Sequence, residues 1–501
     1  MTPSNHAVII AGGGPTGLML AGELALQRID VAIIERRADH GFKGRRAGGL
    51  HARTIEIFDQ RGIADRFLAE GQKSQATGFA GVGFDLSSLP TRHPYTLGIW
   101  QTHIERILGG WVAELGVPIY RGLDVTGLVQ DESGVAVSLS DGGTVQTQYL
   151  VGCDGGRSLV RKAAGIEFPG ADATTSNIIA EVEAMSPTPE LGVHRTALGI
   201  HSFGRADYRI VDGRIVYADH GPIGVMVTER QAGATADPTI EDLREALLAA
   251  TGIDYDLQNL LWISRFTDAA RQAATYRKDR VLVAGDAAHI HPPDGGHGLQ
   301  TGVQDAVNLG WKLAQVAKGI SPDSLLDSYH AERHPVAARV LRHTLAAVSL
   351  RRDDDRARAL RETMAELLGF KEPLRHFAAD MSELAVRYDL GDGHPLLGRR
   401  MPDLDLVGAA GPLRLYSLLH EGHPLLLNLG DPGALDIGPW RGRVRVFAAA
   451  YDGPWDLPDI GQVDAPDAVL VRPDGHVAWV GSGTAAGLVE ALTRWFGPAA
   501  A

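Results

Sequence analysis

A short apolar run, HAVIIA at 6–11, opens the readable pattern and predicts a strand. Glycines in GGGPTG interrupt it, and LMLAGELALQ then places its apolar residues at helical spacing. DVAIIE at 30–35 is a second strand-like run, so the start of the chain predicts a parallel βαβ unit. Residues 36–110 mix basic loops with helical pieces such as TIEIFDQRG and THIERILGGWVAEL, and a further α/β stretch ends at TQYLVGCDGG, 147–156. Between about 175 and 275, runs such as GRIVYADHGPIGVMVTE predict a sheet-rich insert. Strand, glycine loop and helix return in RVLVAGDAAHIHPPDGGHGLQTGVQDAVNLGWKLA, 280–314, and 323–369 reads as helical, with a break expected at Pro335. A last unit near 396–501 carries short strands, a hairpin turn at PDG and a closing helix, GLVEALTRWFG. The whole pattern is that of an α/β protein.

Composition narrows the function classes. With 44% hydrophobic and 22% charged residues in 501, the chain is an ordinary globular protein of several domains. No run approaches the ~18 apolar residues of a membrane span, and no basic leader precedes the first apolar run. One cysteine, Cys153, excludes an internal disulfide framework and fits a reducing cytoplasm; beside a strand end it reads as a packing thiol. A net charge of −13 argues against nucleic acid and anionic membranes as partners. A homodimer is one possibility.

Gly12-x-Gly14-x-x-Gly17 stands directly after a predicted strand and opens a predicted helix. Gly12 permits the tight turn, Gly14 lets backbone approach a pyrophosphate, and Gly17 allows close helix–strand packing. With Pro15 and Thr16 between them, these residues present helix-start N–H groups to phosphate. Glu35, followed by Arg36, ends the second strand eighteen residues after Gly17, where a carboxylate accepts from a ribose. That carboxylate favours FAD or NAD over NADP as the bound dinucleotide.

Two further motifs, Asp154-Gly155-x-x-Ser158-x-x-Arg161 and Gly285-Asp286, complete a set that resembles the flavoprotein aromatic hydroxylases over roughly residues 5–400. The resemblance implies tight, noncovalent FAD, with Asp286 on its ribityl chain and the Asp154 motif holding FAD and assisting the electron donor. It implies NADPH or NADH as a transient donor and O2 as co-substrate. A flavin C4a-hydroperoxide would transfer an OH to a bulky aromatic small molecule. The glycine loop would bring Pro293, Gly296 and Gly298 close to the flavin ring, with the amides of Leu299 and Gln300 facing it. Arg46 resembles the family's flavin-contacting arginine, a tuning residue; a solvated basic loop is the other reading. Gln101, with Glu105 and Leu108 following, resembles a glutamine that contacts FAD, and Val125 would offer backbone to adenine. Where the family more often has Gln and Asn, this chain has His297 and Gln300. No catalytic base is assigned. His289, His291 and His297 have loop or strand spacing and no accompanying cysteine or carboxylate trio, so no metal site is expected.

The resemblance also implies the domain plan. A Rossmann-type FAD-binding domain (1–175 and 276–330) holds a substrate-binding sheet domain (176–275), followed by a helical linker segment (331–395). Residues 396–501 resemble the thioredoxin-like domain of polyketide and phenol hydroxylases, here without a cysteine. Removing that unit is expected to harm assembly more than flavin chemistry, since every FAD motif precedes it. Inactivation of a rifamycin- or tetracycline-type antibiotic, Baeyer–Villiger oxygen insertion, and a non-catalytic flavin-binding docking protein remain as alternatives.

Overall fold

The computed structural model describes residues 5–39, 47–79, 82–196, 199–205, 207–211, 214–229, 236–351, 354–430 and 435–500. The βαβ start forms as read, with strand His6–Ala11, helix Pro15–Leu26 and strand Val31–Glu35. His6–Ala11 is the centre of a parallel set, flanked by Val31–Glu35 on one side and Thr144–Gly152 on the other. Val281–Val283 lies beyond Thr144–Gly152, and Ile119–Arg121 beyond Val31–Glu35. The register aligns Ala11 with both Gly152 and Ile34, and Gly152 with Val283. The three motifs follow these aligned strand ends, so sheet geometry alone brings them to one edge.

The insert is a five-stranded antiparallel sheet built on Ser176–Ser186, whose buried and less-buried positions alternate along most of its length. A helix absent from the sequence reading, Ile240–Thr251, backs it. Thr239 and Asp242 form a reciprocal capping box at its start, and Gly252 ends it in the left-handed region. The expected break at Pro335 does not occur. Pro335 lies inside one continuous helix, Asp327–Leu350. Its ring removes one backbone donor, and burial of Tyr329, Glu332, Arg333, Val336 and Ala337 on both sides holds the helix together.

In the last unit a six-stranded sheet contains one parallel pair, Leu425–Asn428 with Arg445–Ala450, and the rest of its ladders are antiparallel. PDG turns between Ala468–Val471 and Val477–Gly481, as read. This turn is also the docking point on the first domain. Arg53 donates to the Asp474 carbonyl at 3.1 Å and Arg61 to the Pro473 carbonyl at 2.7 Å. Arg472, fully buried, grips both oxygens of Glu332 at 2.7 and 2.8 Å and pairs with Asp474. Lys312 reaches the same Glu332 at 2.8 Å. Lys312 belongs to helix His297–Ala317, which begins at the glycine loop, so the last unit is bonded to the element that carries that loop.

Burial opposes ionisation of Glu332, but Arg472 and Lys312 hold its carboxyl down to about 2. Asp474, buried beside Arg472 and His476, is held well below the usual range. Depressed folded-state values mean stability that is complete above the unfolded values, about 3.9–4.3, and is lost as pH falls toward 2. Acid titration followed by tryptophan fluorescence should show this, because Trp311 and Trp495 both flank the Arg472 guanidinium. A flat signal from pH 5 to 2 would contradict it.

Candidate active site

The first glycine turn is shaped by what side chains cannot occupy. A Cβ on Gly12 would lie 2.3 Å from the Cys153 carbonyl oxygen, and one on Gly17 would lie 2.0 Å from the Gly12 carbonyl oxygen. A Cβ on Gly14 would meet no atom of the described residues within 4 Å. Gly14 is the N-cap of helix Pro15–Leu26, with Pro15 in the first turn and no side chain capping its N–H groups. Two close backbone packings and one open position over an uncapped helix start make an anion cradle. Thr16 turns the other way: its hydroxyl occupies the space that a Cβ at Gly285 or Gly302 would need.

Glu35 is buried at the strand end beside this turn. Its Oε2 accepts from the Gly13 N–H at 2.6 Å, and its Oε1 from the Arg37 backbone N–H at 2.8 Å and Nε at 3.0 Å. Burial would raise its pKa, but these bonds and the Arg37 charge bring the carboxyl below the usual range. Arg37 continues to Glu105 at 2.8 Å, and Glu105 accepts from Gln101 Nε2 at 2.8 Å. Glu35 and Gln101, read separately from the sequence, are thus ends of one chain of bonds through Arg37. Arg36 is exposed. Val125, buried, starts the strand after a turn whose Leu123 N–H donates to the Glu35 carbonyl.

Asp154 Oδ2 caps helix Leu159–Ala163 through the N–H groups of Leu159 and Val160, at 2.7 and 3.0 Å. Its Oδ1 is buried and has no hydrogen-bond partner among the described residues. Arg161 reaches across to the Ala287 carbonyl at 2.8 Å and ties this motif to Gly285-Asp286. Asp305, fully buried, accepts from the Gly285 N–H, from His289 Nε2 at 2.7 Å and from Arg333 at 2.8 Å. His289 is therefore a bracket for the Gly285 turn. Asp286 is exposed on the open side, with Oδ1 3.8 Å from where a Gly298 Cβ would be.

Helix His297–Ala317 starts from Gly296 in the left-handed region, again without a side-chain cap. Leu299 and Gln300 lie in its first turn, where N–H groups have no helical partner. The Gln300 side chain is occupied elsewhere, donating to the Gly49 carbonyl at 2.8 Å and accepting from the His51 N–H. Pro293 is exposed, and Gly298 is half-buried. Arg46 lies outside the described residues. The thiol of Cys153 is pushed well up, by burial first and then by Asp154, which fits a packing role.

His51 and Glu383 belong to this site and were not singled out by sequence. Both are buried, and with His297 they bring nitrogen and carboxylate atoms within 4.8 Å of one another. Polar atoms of all three are engaged: His297 Nδ1 with Glu383 Oε1 at 2.8 Å, and His51 Nε2 with the Gly295 carbonyl at 2.8 Å. A cavity of about 240 Å³ opens beside His297 and Gly295. Val193, Arg195 and Ile200 of the insert sheet and Thr344 and Ala347 of helix Asp327–Leu350 enclose it.

This edge suits FAD. An uncapped helix start with an open glycine suits a pyrophosphate, the ionised Glu35 a ribose, and the unpartnered Asp154 oxygen and exposed Asp286 a polyhydroxyl chain. A second uncapped helix start suits a flavin ring that becomes anionic. Comparison with known proteins agrees. The FAD binding domain family matches residues 5–344, and the aromatic-ring hydroxylase C-terminal family matches 394–499. A rifampicin monooxygenase of Streptomyces venezuelae is 43% identical over 99% of both chains. A 12-dehydrotetracycline 5-monooxygenase/anhydrotetracycline 6-monooxygenase of Streptomyces rimosus subsp. rimosus is 44% identical over 99% of both. The solved anhydrotetracycline hydroxylase from Streptomyces rimosus superposes with a TM-score of 0.88 at 42% identity, covering 99% of this chain and 100% of that one. With both parts matched and the FAD edge in place, the chain belongs to the FAD-dependent aromatic-ring hydroxylases and is a monooxygenase.

Proposed function

We propose that the protein hydroxylates a bulky aromatic of the polyketide type, a phenol or quinone, using NAD(P)H and O2. The observation that carries this reading is the cavity between the insert sheet and the glycine loop, which lies beside the start of helix His297–Ala317. Bound FAD, reduced by NAD(P)H, supplies an electrophilic oxygen from O2; the chain holds the ring in place and excludes water. One GxGxxG turn serves one dinucleotide, which supports a donor that binds transiently. The 43% identity to a rifampicin monooxygenase supports a second use of the same chemistry, modification of an aromatic antibiotic.

A screen of aromatic polyketides and antibiotics decides between them, reading NADPH consumption and product mass. A phenolic product one oxygen heavier than a biosynthetic intermediate supports the first use, and the same on a finished antibiotic supports the second. A ring ester would move the enzyme to Baeyer–Villiger chemistry, and no stimulated NAD(P)H consumption would favour a docking protein. Arg46 stays cationic at working pH, so it tunes an anionic flavin or phenolate and accepts no proton. Arg46→Ala should retain FAD yet slow flavin reduction or release more H2O2 per NADPH consumed. Tightly coupled turnover at the wild-type rate would remove Arg46 from the site.

A further inference from the structure

We propose that His297 is the proton acceptor for the aromatic substrate: with Nδ1 held by Glu383, its Nε2 takes the proton of an acidic ring hydroxyl in the cavity. This rests on the aromatic hydroxylase reading given above and assigns a residue within it.

The tautomer follows from the partners. Glu383 is a carboxylate that only accepts: burial opposes its charge, and bonds from His297 and His51 bring it down to about 2. The 2.8 Å contact therefore needs a proton on His297 Nδ1, so whenever the ring is the neutral imidazole its lone pair is on Nε2. His297 Nε2 is buried and has no hydrogen-bond partner among the described residues. Only glycine fits against the ring at position 295. A Cβ there would lie 2.9 Å from Nε2, and the Gly295 φ of +72° favours glycine in any case. Gly295 and His297 both line the cavity.

The pair is held in place from behind. The second oxygen of Glu383 accepts from Gln304 Nε2. Glu383 itself sits at a φ of +63°, a conformation that costs a non-glycine residue and recurs at functional sites. Around the cavity, Arg195 donates to the Arg351 carbonyl and leaves a positive charge facing the same space, while the remaining charges are paired. Asp294 pairs with Arg351, and Asp380 with Arg339 and His343. His291 is kept neutral by burial, down to about 4, with Nδ1 on the Pro292 carbonyl. The ring of His51 meets that of His297 edge-on at 5.0 Å.

In the step, the substrate O–H bond breaks with its electron pair left on the ring oxygen, and the proton forms a new bond to Nε2. The imidazolium is matched by Glu383, and the phenolate is the electron-rich ring that an electrophilic oxygen attacks. The proton returns to the product oxygen on release. Glu383 is a positioning residue, since it acts through His297.

The test uses the FAD-loaded enzyme and 1,8-dihydroxyanthraquinone, a polycyclic phenol whose visible band moves to longer wavelength on ionisation. At pH 7 the wild type should show the ionised band in a difference spectrum. His297→Gln, which keeps a polar side chain of similar reach, should lose it, and Glu383→Gln should weaken it several-fold. FAD content per chain checks that each variant is folded. For the aromatic found by the NADPH screen, kcat/KM of His297→Gln should fall about 100-fold at pH 7, within the usual range for an acid–base group. The gap should close as pH passes the ring hydroxyl's own pKa. Absence of the ionised band from the wild type, whether the probe is bound neutral or not bound, overturns the assignment, as does an unchanged spectrum in His297→Gln. One equivalent of a divalent metal in the purified protein, with the band lost on its removal by EDTA, overturns it too. Hydroxylation without an ionised probe sinks the proton role alone; an ionised probe with no aromatic hydroxylated sinks the functional reading instead.

Discussion

Replacing Arg472 by leucine is expected to cost the fold about 3–5 kcal/mol, the usual penalty for a buried charge left without its partner. Arg472 lies between Glu332 and Asp474, all three buried, and its removal leaves Lys312 to face two carboxylates. Arg472→Lys should recover only part of the loss, because an ammonium cannot grip both Glu332 oxygens as the guanidinium does. Urea unfolding of the three proteins measures the series. A difference below about 1 kcal/mol between wild type and Arg472→Leu would show that water or neighbouring residues relax into the gap. The same network predicts that truncation before residue 394 is worse still. It removes Arg472 and Asp474 together, exposes Trp311, and leaves Lys312 and Glu332 on helices that no longer have cover. The truncated protein should be insoluble or FAD-poor.

The parts of this site legible in sequence are those in which backbone crowding dictates residue type. Gly12 and Gly17 must be glycine because carbonyl oxygens stand where their Cβ atoms would be, and such constraints leave a fixed local spacing. Strand ends carry Glu35, Asp154 and Gly285 to one edge because parallel register does so wherever βαβ units repeat. The rest depends on contacts between residues far apart in the chain. Glu383 meets His297 across 86 positions, and Arg472 meets Glu332 across 140. No local pattern marks either partner. The role of His289, bracing Asp305 under the Gly285 turn, needed the fold. The missed helix Ile240–Thr251 is a different case. Thr239 and Asp242 form a capping box that stood in the sequence, and the strand-rich text around it masked the signal. At Pro335 the local rule was sound and tertiary burial outweighed it.

Gly14→Ala should leave the protein folded and strip it of FAD, and this separates the cradle's chemistry from its packing. At Gly14 the φ of −77° is open to any residue, and an added Cβ meets no atom of the described residues within 4 Å. The methyl group therefore has no folded-state clash to pay for in the protein itself. What it would meet is the ligand, if the uncapped N–H groups of helix Pro15–Leu26 are to hold the pyrophosphate. Displacing that group from its donors should weaken FAD binding about 100-fold, near 2.7 kcal/mol. Gly17→Ala is the contrasting case: its Cβ would stand 2.0 Å from the Gly12 carbonyl oxygen, so the turn itself must deform and stability should fall with FAD content. Flavin released by denaturation, counted per folded chain, gives the first quantity, and thermal melting of the FAD-free proteins gives the second. Wild-type FAD content in Gly14→Ala would mean that the pyrophosphate does not pass over this turn. A lowered melting point of the FAD-free Gly14→Ala protein would mean that the open space belongs to the protein's own packing.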